Sequence, residues 1–164
     1  MVTYCDREWS RKRVVGALCM DIQAAFPSVN PRCMTRQLRE HDIDENLIGW
    51  TRDYMSRRSV QMVIGGEEQQ SIDATSGLQQ GSPVSPLLFA LYMAGLHFFM
   101  DQQEGDSVTI SFVDDVTFLV SASSVEEVSS RLERCARLAI RWGERNAATF
   151  ETSKTEAILL SRSR

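Results

Sequence analysis

Two apolar stretches that run into aspartate constrain the fold of this chain more than any other feature of its sequence. Residues 14–20 are mostly apolar and lead into Asp21, and two further apolar runs flank the adjacent pair Asp114 and Asp115. Apolar runs of this length predict buried strands, and paired aspartates between two of them are typical of a tight hairpin turn. Asp21 has no turn to account for it. If its strand neighbours the hairpin in one sheet, three carboxylates converge at one edge, and such hard oxygen ligands favour Mg²⁺.

The other segments predict helices alternating with antiparallel hairpins, which is typical of an α+β fold. We expect one domain over residues 1–164, an antiparallel sheet backed by helices, with an irregular start over residues 1–13, which are polar and show no helical or strand period. Gly65-Gly66 predicts a hairpin turn. The predicted helices are 31–40, 44–54, 87–100 and 125–146, and the predicted strands are 14–20, 59–64, 71–75, 108–113, 116–120 and 157–160.

Composition narrows the classes of function. The chain carries 18 Lys and Arg against 22 Asp and Glu, a net charge of −4, whereas a domain that only grips nucleic-acid phosphates is usually basic. Its four cysteines include no C-x-x-C pair and predict free thiols in a reducing, intracellular compartment, either the nucleus or the cytoplasm. No apolar run is long enough to span a bilayer, so we expect no membrane partner.

A loop rich in Gly, Gln, Ser and Pro precedes the apolar helix predicted over residues 87–100. Glycines in such a loop allow the backbone to approach a ligand closely. Gln80 and Ser82 have side chains that can hydrogen-bond a template base or sugar. By itself the pattern also fits an ordinary loop at the entry to a helix.

Four motifs together carry a resemblance to a known family. In chain order they are Asp21-x-x-x-x-Phe26, Gly77-x-x-Gln80-Gly81-Ser82-Pro83-x-Ser85-Pro86-Leu87-Leu88-Phe89, Phe112-Val113-Asp114-Asp115 and Lys154-Thr155-Glu156. Their order and spacing closely resemble those of reverse transcriptases from non-LTR (LINE-like) retrotransposons, and the Trp-Gly-Glu-Arg-Asn run at residues 142–146 is similar to copies in fungal genomes. The resemblance covers residues 14–164. It implies the palm of a polymerase, with the fingers and thumb largely missing.

The resemblance also implies a role for individual side chains. Asp21 and Asp114 would bind two Mg²⁺ ions, with Mn²⁺ as an alternative metal, and Asp115 would be the less direct ligand of the same pair. Phe26 matches the bulky side chain that excludes a 2′-hydroxyl and so selects deoxynucleotides. Lys154 matches the lysine proposed to protonate the departing pyrophosphate, which is plausible if its surroundings lower its pKa. A solvated charge at the start of a strand is the alternative for Lys154.

Two backbone segments of the family contact the incoming nucleotide and the template. One is the turn whose amides meet the triphosphate, which here consists of Ile22, Gln23, Ala24 and Ala25. The other is the loop that lines the nucleotide and the template, which here contains Gln80, Gly81 and Ser82.

The activity implied by the resemblance is RNA-directed DNA polymerisation by two-metal-ion phosphoryl transfer, with an RNA template, a DNA primer and dNTPs as partners. The fingers, thumb and endonuclease regions are expected in other parts of the parent polyprotein. Two positions depart from the family pattern, since Pro27 stands where Asp is usual and Gln79 where Pro is usual.

Two other hypotheses remain open at this point. An inactive retrotransposon-derived remnant, with at most weak binding of nucleic acid, is supported by Pro27 and by the acidic net charge, and is opposed by the survival of all three aspartates. A palm-type nucleotide cyclase is the third hypothesis. The Gln-Gly-Ser-Pro loop argues against a cyclase, which has no template to place.

Overall fold

The computed structural model describes residues 1–56, 58–74 and 77–161, and the chain forms two compact units. The first unit joins Met1–Gln23 to the chain from Met93 onward, and the second is Ala24–Tyr92. The sequence predicted a single domain without an internal boundary. No linker marks the division because the second unit is inserted within the first, and one of the two junctions lies inside a helix.

The elements alternate between helices and short strands. In chain order they are α1 (Val2–Ser10), β1 (Val14–Asp21), α2 (Ala25–Ser28), α3 (Pro31–Glu40), α4 (Glu45–Ser56), β2 (Ser59–Val60), β3 (Val63–Ile64), β4 (Glu67–Glu68), β5 (Ile72–Asp73), α5 (Ser85–Gln103), β6 (Val108–Phe112), β7 (Asp115–Ala122), α6 (Val125–Asn146), a 3-10 helix (Thr152–Lys154) and β8 (Glu156–Leu160). The predicted α+β class is confirmed.

A four-stranded antiparallel sheet forms the centre of the first unit, with the strand order β6-β7-β1-β8. Strand β1 pairs with β7 along its whole length, from Val14 opposite Ala122 to Asp21 opposite Asp115. The interior of β1 is buried on both faces of the sheet, which is why its sequence is a nearly continuous apolar run rather than an alternating one.

Helix α6 covers one face of this sheet, and its bounds match the prediction. The side chain of Ser124 accepts a hydrogen bond from the amide of Glu127 and so caps the first turn of the helix. The helix lies so close to β1 that a side chain at Gly16 would overlap Val128. The predicted apolar side of α6 is buried, and it consists of Val128, Leu132, Cys135, Leu138, Ala139 and Trp142.

The predicted irregular start over residues 1–13 is wrong for Val2–Ser10, which form helix α1. Cys5 and Glu8 are its buried residues. A helix that buries a glutamate shows no clean apolar period, so the pattern in the sequence could not reveal it. Its packing against β1, a tertiary contact, makes the segment helical.

The second unit contains the helices α3 and α4 and two small two-stranded sheets, of which β2-β5 encloses the hairpin β3-β4 along the chain. The side chain of Asn30 accepts from the amides of Arg32 and Cys33, so the predicted cap of α3 is confirmed. The strand predicted over 59–64 is divided into β2 and β3, and β3 turns through Gly65-Gly66 into β4. The return strand predicted over 71–75 is shorter in the structure, where β5 has two residues and pairs with β2. Thr75 lies outside the described residues.

Two compositional predictions can be compared with the structure. None of the four cysteines, all of which lie within the described residues, forms a disulfide. Within the described residues, no helix is long and apolar enough to cross a membrane.

Candidate active site

The first unit places the aspartates of the two apolar motifs beside each other. Asp21 is the last residue of β1 and lies opposite Asp115, the first residue of β7. The amide of Ile22 donates a hydrogen bond to the carbonyl oxygen of Asp114 over 3.0 Å, which fixes the turn against the end of β1. The condition in the sequence argument, that the two strands are sheet neighbours, is therefore met.

The turn between β6 and β7 carries Asp114 at its tip. Phe112 pairs with Asp115, so only Val113 and Asp114 connect the strands, and the Phe112 side chain is 79 % exposed. Val113 has a φ of 55°, in the left-handed region, where a β-branched residue is a rare outlier. Conformations of this kind cost roughly 1–2 kcal/mol and cluster at functional sites.

Lys154 contacts Asp21 directly, which the sequence did not predict. Its Nζ donates to Oδ2 of Asp21 over 2.8 Å. The 3-10 helix that carries Lys154 is tied to β1, because the amide of Glu151 donates to the carbonyl of Asp21 and the side chain of Glu151 accepts from Ser153.

The hydrogen bond to Asp21 raises the pKa of Lys154, and the negative charges of Asp21, Glu151 and Asp114 act in the same direction. The lowered pKa that the sequence argument required of a general acid is therefore not present. A carboxylate close to an ammonium group favours its charged form, so Lys154 holds its proton firmly at neutral pH.

The arrangement can be tested against the chemistry of a divalent cation. An open cavity of about 490 Å³ is lined by Asp21, Asp115 and Lys154, among others. Its two carboxylates are hard oxygen ligands of the type that Mg²⁺ prefers. Among the described residues, however, no group of three or more His, Cys, Asp or Glu is arranged to hold a metal ion. The donor chemistry thus fits Mg²⁺, while the convergence of all three aspartates remains a prediction.

The turn after β1 corrects the predicted role of two backbone amides. The Ile22 amide donates to the carbonyl of Asp114, and the Gln23 amide donates to the carbonyl of Thr149 over 2.8 Å. Both amides are therefore occupied by protein acceptors, and neither faces a triphosphate in this conformation. Ala24, whose φ is 49°, and Ala25 begin the second unit, and their contact with a triphosphate remains a prediction.

In the second unit, Phe26 is joined to the start of the Gly-Gln-Ser-Pro loop. Its carbonyl accepts from the amide of Leu78 over 2.7 Å, and the carbonyl of Val29 accepts from the amide of Gly77 over 3.0 Å. Gly77 has a φ of 77°, and a side chain there would collide with the backbone of Pro27. Pro27 lies in the first turn of α2, where the missing amide hydrogen costs little, so this departure from the family pattern is accommodated.

The rest of this loop presents the predicted contact residues to solvent. Gln80 and Gly81 are exposed, and Gly81 has a φ of 86° with open space around its Cα. Ser82 accepts a long hydrogen bond from the amide of Val84. The Ser85 hydroxyl donates to the carbonyl of Gln79 over 2.6 Å and so closes the loop on the first turn of α5.

Comparison with known proteins identifies the family. The profile described as "Reverse transcriptase (RNA-dependent DNA polymerase)" matches residues 5–163. The chain belongs to the reverse transcriptase family.

The relatives of this reverse transcriptase domain are polyproteins of mobile elements. It is 26% identical over 132 residues to a retrovirus-related Pol polyprotein from the type-1 retrotransposable element R2 of Popillia japonica, and 25% identical over 126 residues to a second one. These matches cover 76% and 71% of this chain but 22% and 18% of the relatives, so the chain spans about a fifth of their length. The predicted resemblance to non-LTR reverse transcriptases is confirmed, and the similarity to fungal copies stays a prediction.

Solved structures support the fold of the reverse transcriptase domain. Telomerase from Candida tropicalis truncated from its C-terminal domain matches with a TM-score of 0.71 at 14% identity, over 99% of this chain and 34% of that one. Telomerase from Candida albicans in complex with a TWJ fragment of telomeric RNA matches with a TM-score of 0.71 at 13% identity, over 99% and 30% of the two chains. At such low identity the likeness concerns the fold, and it agrees with a partial palm.

Sequence reasoning missed two residues that support the loop of this reverse transcriptase domain. Arg58 donates to the carbonyls of Met55 and Gly77, and its guanidinium lies over the ring of Tyr54, 5.8 Å from the centroid. The Tyr54 hydroxyl is 3.2 Å from the hydroxyl of Ser85. Neither residue belongs to a motif, and an arginine after a helix gives no signal of its contact with a loop 19 residues later.

Proposed function

We propose that this chain is the catalytic palm of an RNA-directed DNA polymerase that extends a DNA primer on an RNA template by two-metal-ion phosphoryl transfer. The observation that carries the proposal is the register of β1 and β7, which sets Asp21 opposite Asp115 with Asp114 on the adjoining turn. Asp21, Asp114 and Asp115 would hold the two Mg²⁺ ions. Bound Mg²⁺ would supply the positive charge that stabilises the attacking and leaving oxygens.

The proposed reaction is a nucleotidyl transfer, in which the residues of this chain would position the reactants and donate a proton. The 3′-oxygen of the primer attacks the α-phosphorus of a dNTP, its proton passes to water, and the bond to the β-phosphate breaks to release pyrophosphate. Lys154 is held protonated by Asp21, and once it leaves that carboxylate it would donate to the departing pyrophosphate. Most of the catalytic effect would come from holding the reactants in position.

Selection of the nucleotide would fall to the second unit. Phe26 would exclude a 2′-hydroxyl, and the loop from Gln80 to Ser82 would contact the nucleotide and the template. Support comes from the backbone hydrogen bonds that join Phe26 to Leu78 and Val29 to Gly77, because they hold the aromatic side chain and the loop in a fixed local geometry. The ring of Phe26 also lies against Phe89, with 5.2 Å between centroids.

The RNA template is the partner that the comparisons support best. The family is described as RNA-dependent, and one matching telomerase was solved with telomeric RNA. Because this chain spans about a fifth of the polyproteins that it matches, the roles of fingers, thumb and endonuclease regions in the parent protein belong to the proposal too.

A second candidate is an inactive remnant, and one observation favours it. Lys154 neutralises Asp21, and the described residues contain no group of three acidic, histidine or cysteine side chains arranged for a metal. A chain whose fold does not bring the three aspartates together would be folded but would have no catalytic activity.

Primer extension separates the two candidates. The purified chain is given an RNA template, a DNA primer, dNTPs and Mg²⁺, and is compared with the Asp114→Ala, Asp115→Ala double variant. The matched control is Glu133→Ala, Glu144→Ala, which removes two exposed carboxylates of α6. Circular dichroism checks that every protein is folded.

The proposal expects Mg²⁺-dependent extension that the control retains and the aspartate variant loses by about a thousandfold or more. Extension that survives loss of both aspartates would refute the assigned site. A folded chain that extends no primer, alone or with the remaining regions of its parent polyprotein, would establish the inactive remnant.

A further inference from the structure

The sheet has a second charged region at the end opposite the aspartates. There α1 packs where β1 begins and β7 ends, some seven residues along β1 from Asp21, or roughly 23 Å at 3.3 Å per residue. A cavity of about 200 Å³ lies between α1, the chain at 105–108 and Ser121. None of the family motifs contributes to it.

Glu8 is the buried charge of this region, with 4 % of its side chain exposed. One carboxylate oxygen accepts from Arg7 over 2.9 Å and from Arg11 over 3.3 Å, while the other accepts from the Ser121 hydroxyl over 2.8 Å and lies 3.6 Å from Nε of Arg13. The hydrogen bond from Ser121, together with the hydrogen bond from Arg7 and the charges of Arg11 and Arg7, outweighs burial and lowers the pKa of Glu8, so the carboxylate is ionised at neutral pH.

The cavity has more positive charge than its own carboxylates balance. Arg7, Arg11 and Arg13 line it, against Glu8 and the exposed Asp106. Arg7 and Arg11 each use one nitrogen on Glu8 and are 57 % and 61 % exposed, so the remaining N–H groups of both guanidiniums can reach a ligand. Guanidinium groups arranged in this way match the oxygens of phosphate.

Tyr4 lines the same cavity and supplies an independent sign of a missing acceptor. Its hydroxyl is buried, and within the described part of the chain it has no hydrogen-bond partner. Buried polar atoms without a partner are rare because no hydrogen bond offsets the free-energy cost of removing them from water. The guanidinium of Arg7 lies over the Tyr4 ring, 5.3 Å from the centroid, so the two side chains line the cavity side by side.

We infer that this cavity binds a phosphate group, held by Arg7, Arg11 and the Tyr4 hydroxyl. The group belongs either to the backbone of a nucleic-acid strand or to a free phosphate anion, because both present negatively charged oxygens on phosphorus. The site is separate from the carboxylates proposed to bind Mg²⁺, and its occupation does not require polymerase activity.

Calorimetric titration of the full 164-residue chain with inorganic phosphate, without divalent metal, tests the inference. We expect Arg11→Gln and Tyr4→Phe each to weaken phosphate binding by about tenfold, since each removes one hydrogen bond to a charged ligand. Arg141→Gln, which changes an exposed arginine of α6, is the matched control and should leave the affinity unchanged.

Tyr4→Phe also separates binding from folding. It removes a hydroxyl that makes no hydrogen bond in the described structure, so the melting temperature of the unligated chain should not fall. Lys154→Ala separates this cavity from the proposed active site and should leave phosphate binding intact. Unchanged affinity in both Arg11→Gln and Tyr4→Phe, or loss of binding in Lys154→Ala, would overturn the inference.

A single-stranded RNA 12-mer identifies the source of the phosphate. If Arg11→Gln and Tyr4→Phe weaken RNA binding in the same proportion as phosphate binding, the ligand is a backbone phosphate. If both variants lose affinity for inorganic phosphate alone, the ligand is a free anion.

Discussion

The two ends of the four-stranded sheet hold their charged side chains in opposite ways. At the hairpin end, which comprises Asp21, Asp114, Asp115 and Lys154, the Asp21 side chain is 19 % exposed and its ion pair is with a lysine that is 68 % exposed. At the helix end, which comprises Glu8, Arg7, Arg11, Arg13 and Ser121, the single carboxylate is nearly buried and three arginines surround it.

This difference shows what each end is suited to do. A buried carboxylate stays ionised only if the protein supplies its counter-charges and hydrogen bonds, and the helix end supplies both. Asp21, by contrast, is paired with an exposed lysine, and such an exposed ion pair is weak enough for another cation to replace the lysine. Glu8 is therefore suited mainly to stabilising the fold, whereas the aspartates of the hairpin end are suited to binding a ligand.

The largest expected effect is on stability, at the helix end. Glu8→Ala leaves the arginines around a vacated buried site, so we expect the free energy of unfolding to fall by about 2–3 kcal/mol. Glu133→Ala is the control, since it removes an exposed glutamate paired only with Arg137 and should cost about 0.5 kcal/mol or less. Urea unfolding measures the free energy of unfolding of both variants. Equal decreases in the two variants would contradict the contrast between the buried and the exposed acid.

A gain in stability is expected at the hairpin end. Val113→Gly relieves the left-handed conformation of a β-branched residue and should raise the free energy of unfolding by about 1 kcal/mol. Ala147→Gly changes another residue with positive φ, at the end of α6, and should give a smaller gain because alanine is not branched. A loss in Val113→Gly, measured by thermal unfolding, would mean that the turn is not strained.

The lysine at the hairpin end competes with any cation for Asp21. Lys154→Ala should tighten Mg²⁺ binding by about threefold, the scale of an exposed ion pair. Arg141→Ala removes an equal charge from α6 and should leave the Mg²⁺ affinity unchanged. Calorimetric titration with MgCl₂ compares them, and weaker binding in Lys154→Ala would show that the lysine supports the site rather than competing for it.

The smallest expected effect concerns pH. Burial lowers the pKa of His97, opposed by the nearby Asp101, and Nε2 of His97 lies 2.8 Å from the hydroxyl of Ser111 on β6. Because the unfolded chain takes up this proton more readily, stability is fully present above about pH 7 and declines as the pH falls towards 5. His97→Gln should flatten this slope. Melting temperatures measured between pH 5 and 8 give the answer, and a slope unchanged by His97→Gln would assign the decline to other groups.

Much of the fold could be predicted because local patterns specify it. The apolar run that became β1, the capped start of α3 at Asn30 and the amphipathic period of α6 each lie within one stretch of chain, and all three were found where they were predicted. The glycine pair at residues 65–66 likewise marked its hairpin. Helix α1 was missed because its buried Glu8 hides the period that would have revealed it.

The candidate site was predicted less completely than the fold. The sequence predicted a site at Asp21, Asp114 and Asp115, and the structure pairs β1 with β7 so that Asp21 lies opposite Asp115, while the metal-binding role of the three aspartates stays a prediction. The amides of Ile22 and Gln23 were assigned to a triphosphate but are used within the protein. Backbone hydrogen bonds of this kind depend on neighbouring strands, which a local pattern does not name.

The sequence by itself determined where the strands, the long helix and the motif residues lie, since these follow from the chemistry of adjacent residues. Only the tertiary structure decided that Lys154 meets Asp21 across 133 residues and that Ser121 meets Glu8 across 113. It also decided that the second unit is inserted between Gln23 and Met93. Contacts across such separations depend on how the sheet and helices pack, and the packing, rather than any single segment, sets the charge around each carboxylate.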